Sequence, residues 1–149
     1  MKIEEEIKQK KFKNEFLKAE INLSFTAAWL EGKRTADLKS FGISIQQFNL
    51  LRILKGQFPK PSPLKLITER MIDKMSNTSR LVEKLRQKGL VKREICEDNR
   101  RQVDIFITEK GIELIDKASE VVESNIHSQT TITEKEATTL NKLLDKMRD

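Results

Sequence analysis

Cysteine and histidine each occur once in the 149 residues, as Cys96 and His127. A disulfide within the chain is therefore excluded, which suits a reducing cytosol. A metal site built from several histidines is excluded as well. With 5 Gly and 3 Pro, the chain lacks the turn residues that a many-stranded β fold consumes. No stretch reaches the ~20 apolar residues that span a bilayer. The N-terminal MKIEEEIKQKKFKNEF has basic residues with no apolar run behind them, so it does not read as a signal peptide. A cytoplasmic protein without membrane association is expected. The sequence also has no glycine-rich phosphate loop, no nucleophile elbow and no Cys/His pair. Its carboxylates are spread along helix surfaces, so neither catalysis nor a cofactor is expected.

What remains is rich in helix formers and in charge. Hydrophobic residues make up 37% and charged residues 35% of the chain, enough for a thin core strung along amphipathic helices. The formal net charge is +6. A basic balance suits nucleic acid or an anionic surface, but the placement of the charge is more informative than its sum.

Residues 2–30 hold neither Gly nor Pro and predict one long helix, broken near Lys10–Lys13, with a dispersed apolar stripe that needs a partner surface. Residues 31–42 read as a connection between the breakers Gly32 and Gly42. Ser44-Ile45-Gln46-Gln47 is a capping box opening a second helix to Gln57. The Pro59-Lys60-Pro61-Ser62-Pro63 run stops it, and Ser62 and Pro63 read as the cap and first residue of a third helix reaching about Met71. After a turn at residues 72–74, a fourth helix runs to Lys88 and ends at Gly89. The period then changes to two. Residues 90–95 and Val103 to Ile107 form a hairpin around a polar tip, Glu97-Asp98-Asn99-Arg100-Arg101. Thr108 caps a fifth helix to about His127, and Thr133-Glu134-Lys135-Glu136 opens a last one. The expected fold is mainly α with a small β-hairpin wing.

The fourth helix carries the functional argument. On a wheel of ~3.6 residues per turn, Thr78, Leu81, Val82 and Leu85 share one side, while Ser76, Arg80, Glu83 and Gln87 share the other. Asn77 and Lys84 flank the polar face on one edge, Ser79 and Arg86 on the other. A short helix, a turn and such a helix make a helix-turn-helix, whose second helix enters the major groove with its N-terminal residues on base edges. Ser76, Asn77, Ser79 and Arg80 are the candidates for base contacts, since Arg bonds bidentately to guanine and Asn to adenine. Lys84 and Arg86 are candidates for phosphate. Arg100 and Arg101 at the hairpin tip suit a narrow, electronegative minor groove, the choice between them staying open.

SNTSRLVEKLRQKGLVKR, followed by EDNRRQVDIFITEKGIELI, resembles the core of the MarR (multiple antibiotic resistance regulator) family over roughly Ser44 to Ile115. The resemblance implies a homodimeric transcription regulator of triangular shape, in which the first and last helices interlock between subunits. It implies that the fourth helix reads a pseudo-palindromic operator and that a wing arginine, matched by Arg101, enters the minor groove. Asn99 stands where the family usually has an Asp that orients this arginine, so Asn99 or Asp98 takes that role. Residues 1–31 and 112–149 are expected to form the dimer, and 44–111 the DNA-binding region. A repressor is expected, with an activator as the open alternative.

The residues themselves also point to a dimer. Ile112, Ile115, Val122, Leu140, Leu144 and Met147 form stripes outside the winged unit that need a surface to bury against. Family members often sense small molecules, above all phenolic ones, in a cleft between the two regions. Trp29, Phe25, Phe41 and Phe48 are the aromatic candidates, with ordinary core packing as the alternative for each, and the identity of an effector stays open. Cys96, at the end of the first wing strand, reads as structural rather than as a redox switch. The rival to DNA reading is a winged-helix protein-interaction module, against which the basic helix face and the arginine tip argue.

Overall fold

The computed structural model describes residues 1–149. The elements are α1 (Ile3–Glu6), α2 (Glu15–Leu38), a 3-10 turn (Lys39–Phe41), α3 (Ile45–Gln57), β1 (Ser62–Pro63), α4 (Leu64–Arg70), α5 (Thr78–Gln87), β2 (Val91–Ile95), β3 (Val103–Ile107), α6 (Glu109–Gln129) and α7 (Glu134–Lys146). The fold is the expected one, mainly α with a small antiparallel sheet. No helix is long and apolar enough to cross a membrane.

Four of the predicted caps are in place. The Ser44 and Thr133 capping boxes are complete, and the Thr108 hydroxyl accepts from the Gly111 N–H at 3.1 Å. Gly89 adopts a left-handed φ of 73° after α5, where a side chain would be strained.

One boundary in the N-terminal region differs from expectation, because long-range contacts outweigh a local signal. The connection expected over residues 31–42 is helical as far as Leu38. Gly32 costs a helix only ~1 kcal/mol relative to Ala, and three side chains around it bind this turn to α6. Lys33 Nζ donates to Gln129 Oε1 at 2.8 Å, and Asn125 Nδ2 to Asp37 Oδ1 at 2.7 Å. Arg34 Nη1 donates to the Val122 carbonyl oxygen at 3.4 Å. The chain leaves the helix at Gly42, which is left-handed at φ 65°. The first predicted helix is broken where the lysines cluster: α1 ends at Glu6, and α2 starts after Asn14, whose side chain caps Leu17.

Ser62 does not cap the third helix. It pairs with Ile105 as β1, on the free edge of β3, so that the sheet order is β1-β3-β2. The helix starts one residue later than expected, at Leu64, with Pro63 in the cap position and no side-chain cap.

The core lies in the middle of the chain. Seventeen buried apolar residues form one cluster running from Leu38 to Val122, with Leu50, Leu51, Ile67, Leu85, Ile105 and Ile115 fully enclosed. α6 is locked to the base of the wing: Thr108 Oγ1 donates to Gly89 O at 2.7 Å and the Thr108 N–H to Leu90 O at 3.1 Å. A Cβ on Gly111 would stand 2.2 Å from Leu90 O, so only glycine permits this approach. The glycine of the ITEKG motif is therefore a packing residue.

Candidate nucleic-acid interface

α5 buries Thr78, Val82 and Leu85 against α3, α4 and the start of β2, and leaves Ser79, Arg80, Lys84 and Arg86 exposed. The amphipathic split read from the sequence is therefore present. The start of the helix differs from expectation. Residues 71–77 form the turn, and α5 begins only at Thr78, so Ser76 and Asn77 precede it. Asn77 is the N-cap, its Oδ1 accepting from the Arg80 N–H at 3.1 Å. That occupies its carbonyl oxygen and leaves its amide NH2 free. The Ser76 hydroxyl is enclosed and has no hydrogen-bond partner, so it does not belong to the exposed face.

The cations of this face differ in readiness. Arg86 is held by Glu83 through Nε to Oε2 at 3.0 Å and Nη2 to Oε1 at 2.7 Å. This bond holds the Glu83 carboxyl below the usual carboxylate range and raises Arg86 above its own. Arg80 and Lys84 take part in no ion pair and in no side-chain hydrogen bond. Two further lysines bond to backbone carbonyls, Lys74 to Glu69 and Lys88 to Gly42.

The wing is a regular ladder in which Val91 faces Ile107 and Ile95 faces Val103. Its tip is closed by Cys96 N–H to Gln102 O at 3.0 Å and Gln102 N–H to Asn99 O at 2.8 Å. Asn99 does not hold an arginine side chain. Its Oδ1 accepts from the backbone N–H of Arg101 at 3.2 Å, so it shapes the loop instead. Asp98 is exposed and forms no ion pair with either arginine. Arg101 lines a groove of about 940 Å³ between the tip and α4, together with Lys65, Thr68 and Glu69. Arg100 does not line it. The groove, the wing and the exposed face of α5 together offer cations on both sides of the helix-turn-helix, which suits a polyanion.

A second cleft, of about 710 Å³, lies between α2, α3, α6 and the turn before α5. It is lined by Leu30, Arg34, Ile45, Asn49, Ile72 and Ile126 among others. None of the four aromatic residues singled out from the sequence lines it. Phe48 is buried in the core and Phe41 packs against it. Trp29 is half exposed, with Lys33 Nζ 3.8 Å from its ring centre. Sequence reasoning missed Asn49, whose Oδ1 accepts from the Ile72 N–H at 2.9 Å and ties the turn to α3. No local pattern announces a bond between residues 23 positions apart.

A helix-turn-helix followed directly by a hairpin with an arginine tip defines a winged helix-turn-helix DNA-binding protein. The chain belongs to the MarR family: the family's model matches residues 43–103. It is 32% identical over 113 residues to the HTH-type transcriptional regulator PecS of Dickeya dadantii (strain 3937), covering 72% of this chain and 66% of that protein. It is 30% identical over 109 residues to the HTH-type transcriptional regulator MgrA of Staphylococcus aureus, covering 73% of this chain and 72% of that one. Among solved structures, the organohalide-sensing RdhR-CbdbA1625 transcriptional regulator in its 2,4-dichlorophenol-bound form superposes with a TM-score of 0.81. That match is at 23% identity, over 94% of this chain and 85% of the other. The protein is thus a DNA-binding transcription regulator and not an enzyme.

Proposed function

We propose that the protein is a homodimeric repressor that binds a pseudo-palindromic operator and responds to a small molecule. The observation that carries this reading is the exposed face of α5, where Arg80 and Lys84 are unpaired beside a wing whose Arg101 is equally unpaired. In this reading Ser79, Arg80 and the free amide of Asn77 meet base edges, while Ser76, its hydroxyl turned inward, shapes the tip. Lys84 contacts phosphate, and Arg86 does so on leaving Glu83. Arg101, which lines the groove beside α4 as Arg100 does not, enters the minor groove, with Arg100 on the flanking backbone.

The dimer reading is supported by apolar side chains on α2 and α7 that their own chain leaves uncovered. Phe16 is 87% exposed, and Trp29, Leu140, Leu143 and Met147 are about half exposed. Residues 1–31 and 112–149 would then interlock between two copies through their exposed side chains, and 44–111 of each would face one half-site. Ile112, Ile115 and Val122 are already packed in or against their own chain's core. A two-fold dimer matches a two-fold operator, with half-sites about 34–36 Å apart. A dimer seated over that length excludes other proteins from the same DNA, which favours repression.

An effector role is supported by the second cleft, which touches α2 and α6 on one side and the turn that positions α5 on the other. A structural neighbour in its 2,4-dichlorophenol-bound form supports a small aromatic compound as the class of ligand. A ligand wedged there changes the spacing of the two reading helices.

Selection from random duplex DNA, repeated across a salt series, tests the proposal. An enriched inverted repeat, with affinity falling steeply as salt rises, is the expected result. Enrichment of a single asymmetric half-site would overturn the dimeric reading, and no enrichment would overturn DNA reading by this face.

A further inference from the structure

The tip of the reading helix exposes an apolar side chain where the sequence pattern leads one to expect polar ones. Of the polar groups at this end, the Ser76 hydroxyl is enclosed and the Asn77 carbonyl oxygen is engaged as a cap. Between them and the preceding helix stands Met75, 91% exposed, more than any other large apolar side chain beyond the N-terminal methionine.

The backbone that carries Met75 is tied down. The Met75 N–H donates to Asp73 Oδ1 at 2.9 Å, and the Ser76 N–H to Asp73 O at 3.2 Å. The Ile72 N–H donates to Asn49 Oδ1 at 2.9 Å, fixing the other end of the turn to α3. Lys74, between these anchors, is held to the Glu69 carbonyl. Met75 does not line the cleft beside the turn, whereas Ile72 does. A fixed turn thus presents one long, unbranched thioether to solvent, two residues before the N-cap of the helix that enters the major groove. The major groove displays one apolar group, the 5-methyl of thymine, and apolar side chains contact it. A flexible thioether adapts to an irregular apolar surface, and a preformed turn loses little entropy on binding.

We infer that Met75 is a specificity-determining residue that reads the 5-methyl group of one thymine in each half-site. The inference rests on the proposed DNA reading by α5 and adds a contact made by the turn ahead of that helix.

The test uses the full-length protein and its selected operator, with each thymine replaced in turn by deoxyuridine, which lacks only the methyl group. Wild-type protein, Met75→Ala and Met75→Gln are compared at fixed salt. At one thymine per half-site, the replacement weakens wild-type binding about fourfold, the worth of one buried methyl. The same replacement leaves the two variants' affinities unchanged. The side chain is exposed, so both variants keep the wild-type melting temperature. If no thymine shows this coupling, or if Met75→Ala loses as much as wild type at the same position, the inference is overturned while operator binding stands. If the wild-type protein selects no operator, the DNA reading fails and the inference with it.

Discussion

The middle of the chain and its two ends are built on opposite principles. In α3, five of thirteen residues are buried. In α2, one of twenty-four is buried, and in α7 none. The same residue types occupy both regions: Leu51 is fully enclosed, while Leu140 is 47% exposed. The winged unit closes around its own core, whereas the ends carry apolar faces that their own chain does not cover. α6 joins the two, its first half packed on the winged unit through Ile115 and Ala118, its last residues clasped to α2 through Asn125 and Gln129. The lesson is that an amphipathic pattern announces a buried face without saying which chain buries it.

The largest expected effect comes from breaking the self-contained half. Leu51→Ala removes a fully enclosed side chain and leaves a cavity, which destabilises by about 3 kcal/mol. Denaturant unfolding at a fixed protomer concentration reads that loss directly. A change below about 1 kcal/mol would mean that the site collapses around the smaller residue.

The next effect separates the halves. Leu140→Glu places a charge on the uncovered face of α7 and is expected to weaken the proposed dimer by about a hundredfold, comparable to losing a central anchor. Sedimentation at graded concentrations follows the dissociation, and the methyl spectrum of the winged core stays as it was. Loss of that spectrum together with the dimer would show that the two regions fold only as one.

The smallest effect sharpens the functional side. Arg101→Ala is expected to weaken operator binding about tenfold, with the melting temperature unchanged, because its side chain is exposed and unpaired. Arg100→Ala is the companion measurement. An equal loss in both variants would assign the tip's work to charge rather than to insertion of one arginine.

Much of the helix-turn-helix was legible because its signals are local. A capping box at Ser44, a proline run at 59–63, a left-handed glycine at 89 and the period of two from Val103 each act within a few residues. The apolar side of α5 was legible for the same reason. The N-terminal edge of the site was not. Ser76 and Arg80 share a face on an ideal helical wheel, with Asn77 at its edge, but the helix begins later, because the Asn77 side chain and the Asp73 and Asn49 bonds hold residues 72–77 as a turn. The Arg86 bond to Glu83 is an i, i+3 pair that the sequence permits, and the geometry decides that it forms.

By itself the sequence determined the order of the elements, the wing, the family and the polar character of the reading face. The elements, the wing and the polar face follow from periodicity and capping, which act over one or two turns of chain, and the family from the resemblance carried by SNTSRLVEKLRQKGLVKR and the wing that follows it. Tertiary structure decided where helices stop and which polar groups remain free. The helix through Gly32 survives because α6 holds it, and Ser62 becomes a strand because the edge of β3 receives it. It also turned the Ser76 hydroxyl inward and left Met75 outside. Such outcomes depend on bonds and packing between residues far apart in the chain, whose free energies compete with local preferences of only ~1 kcal/mol.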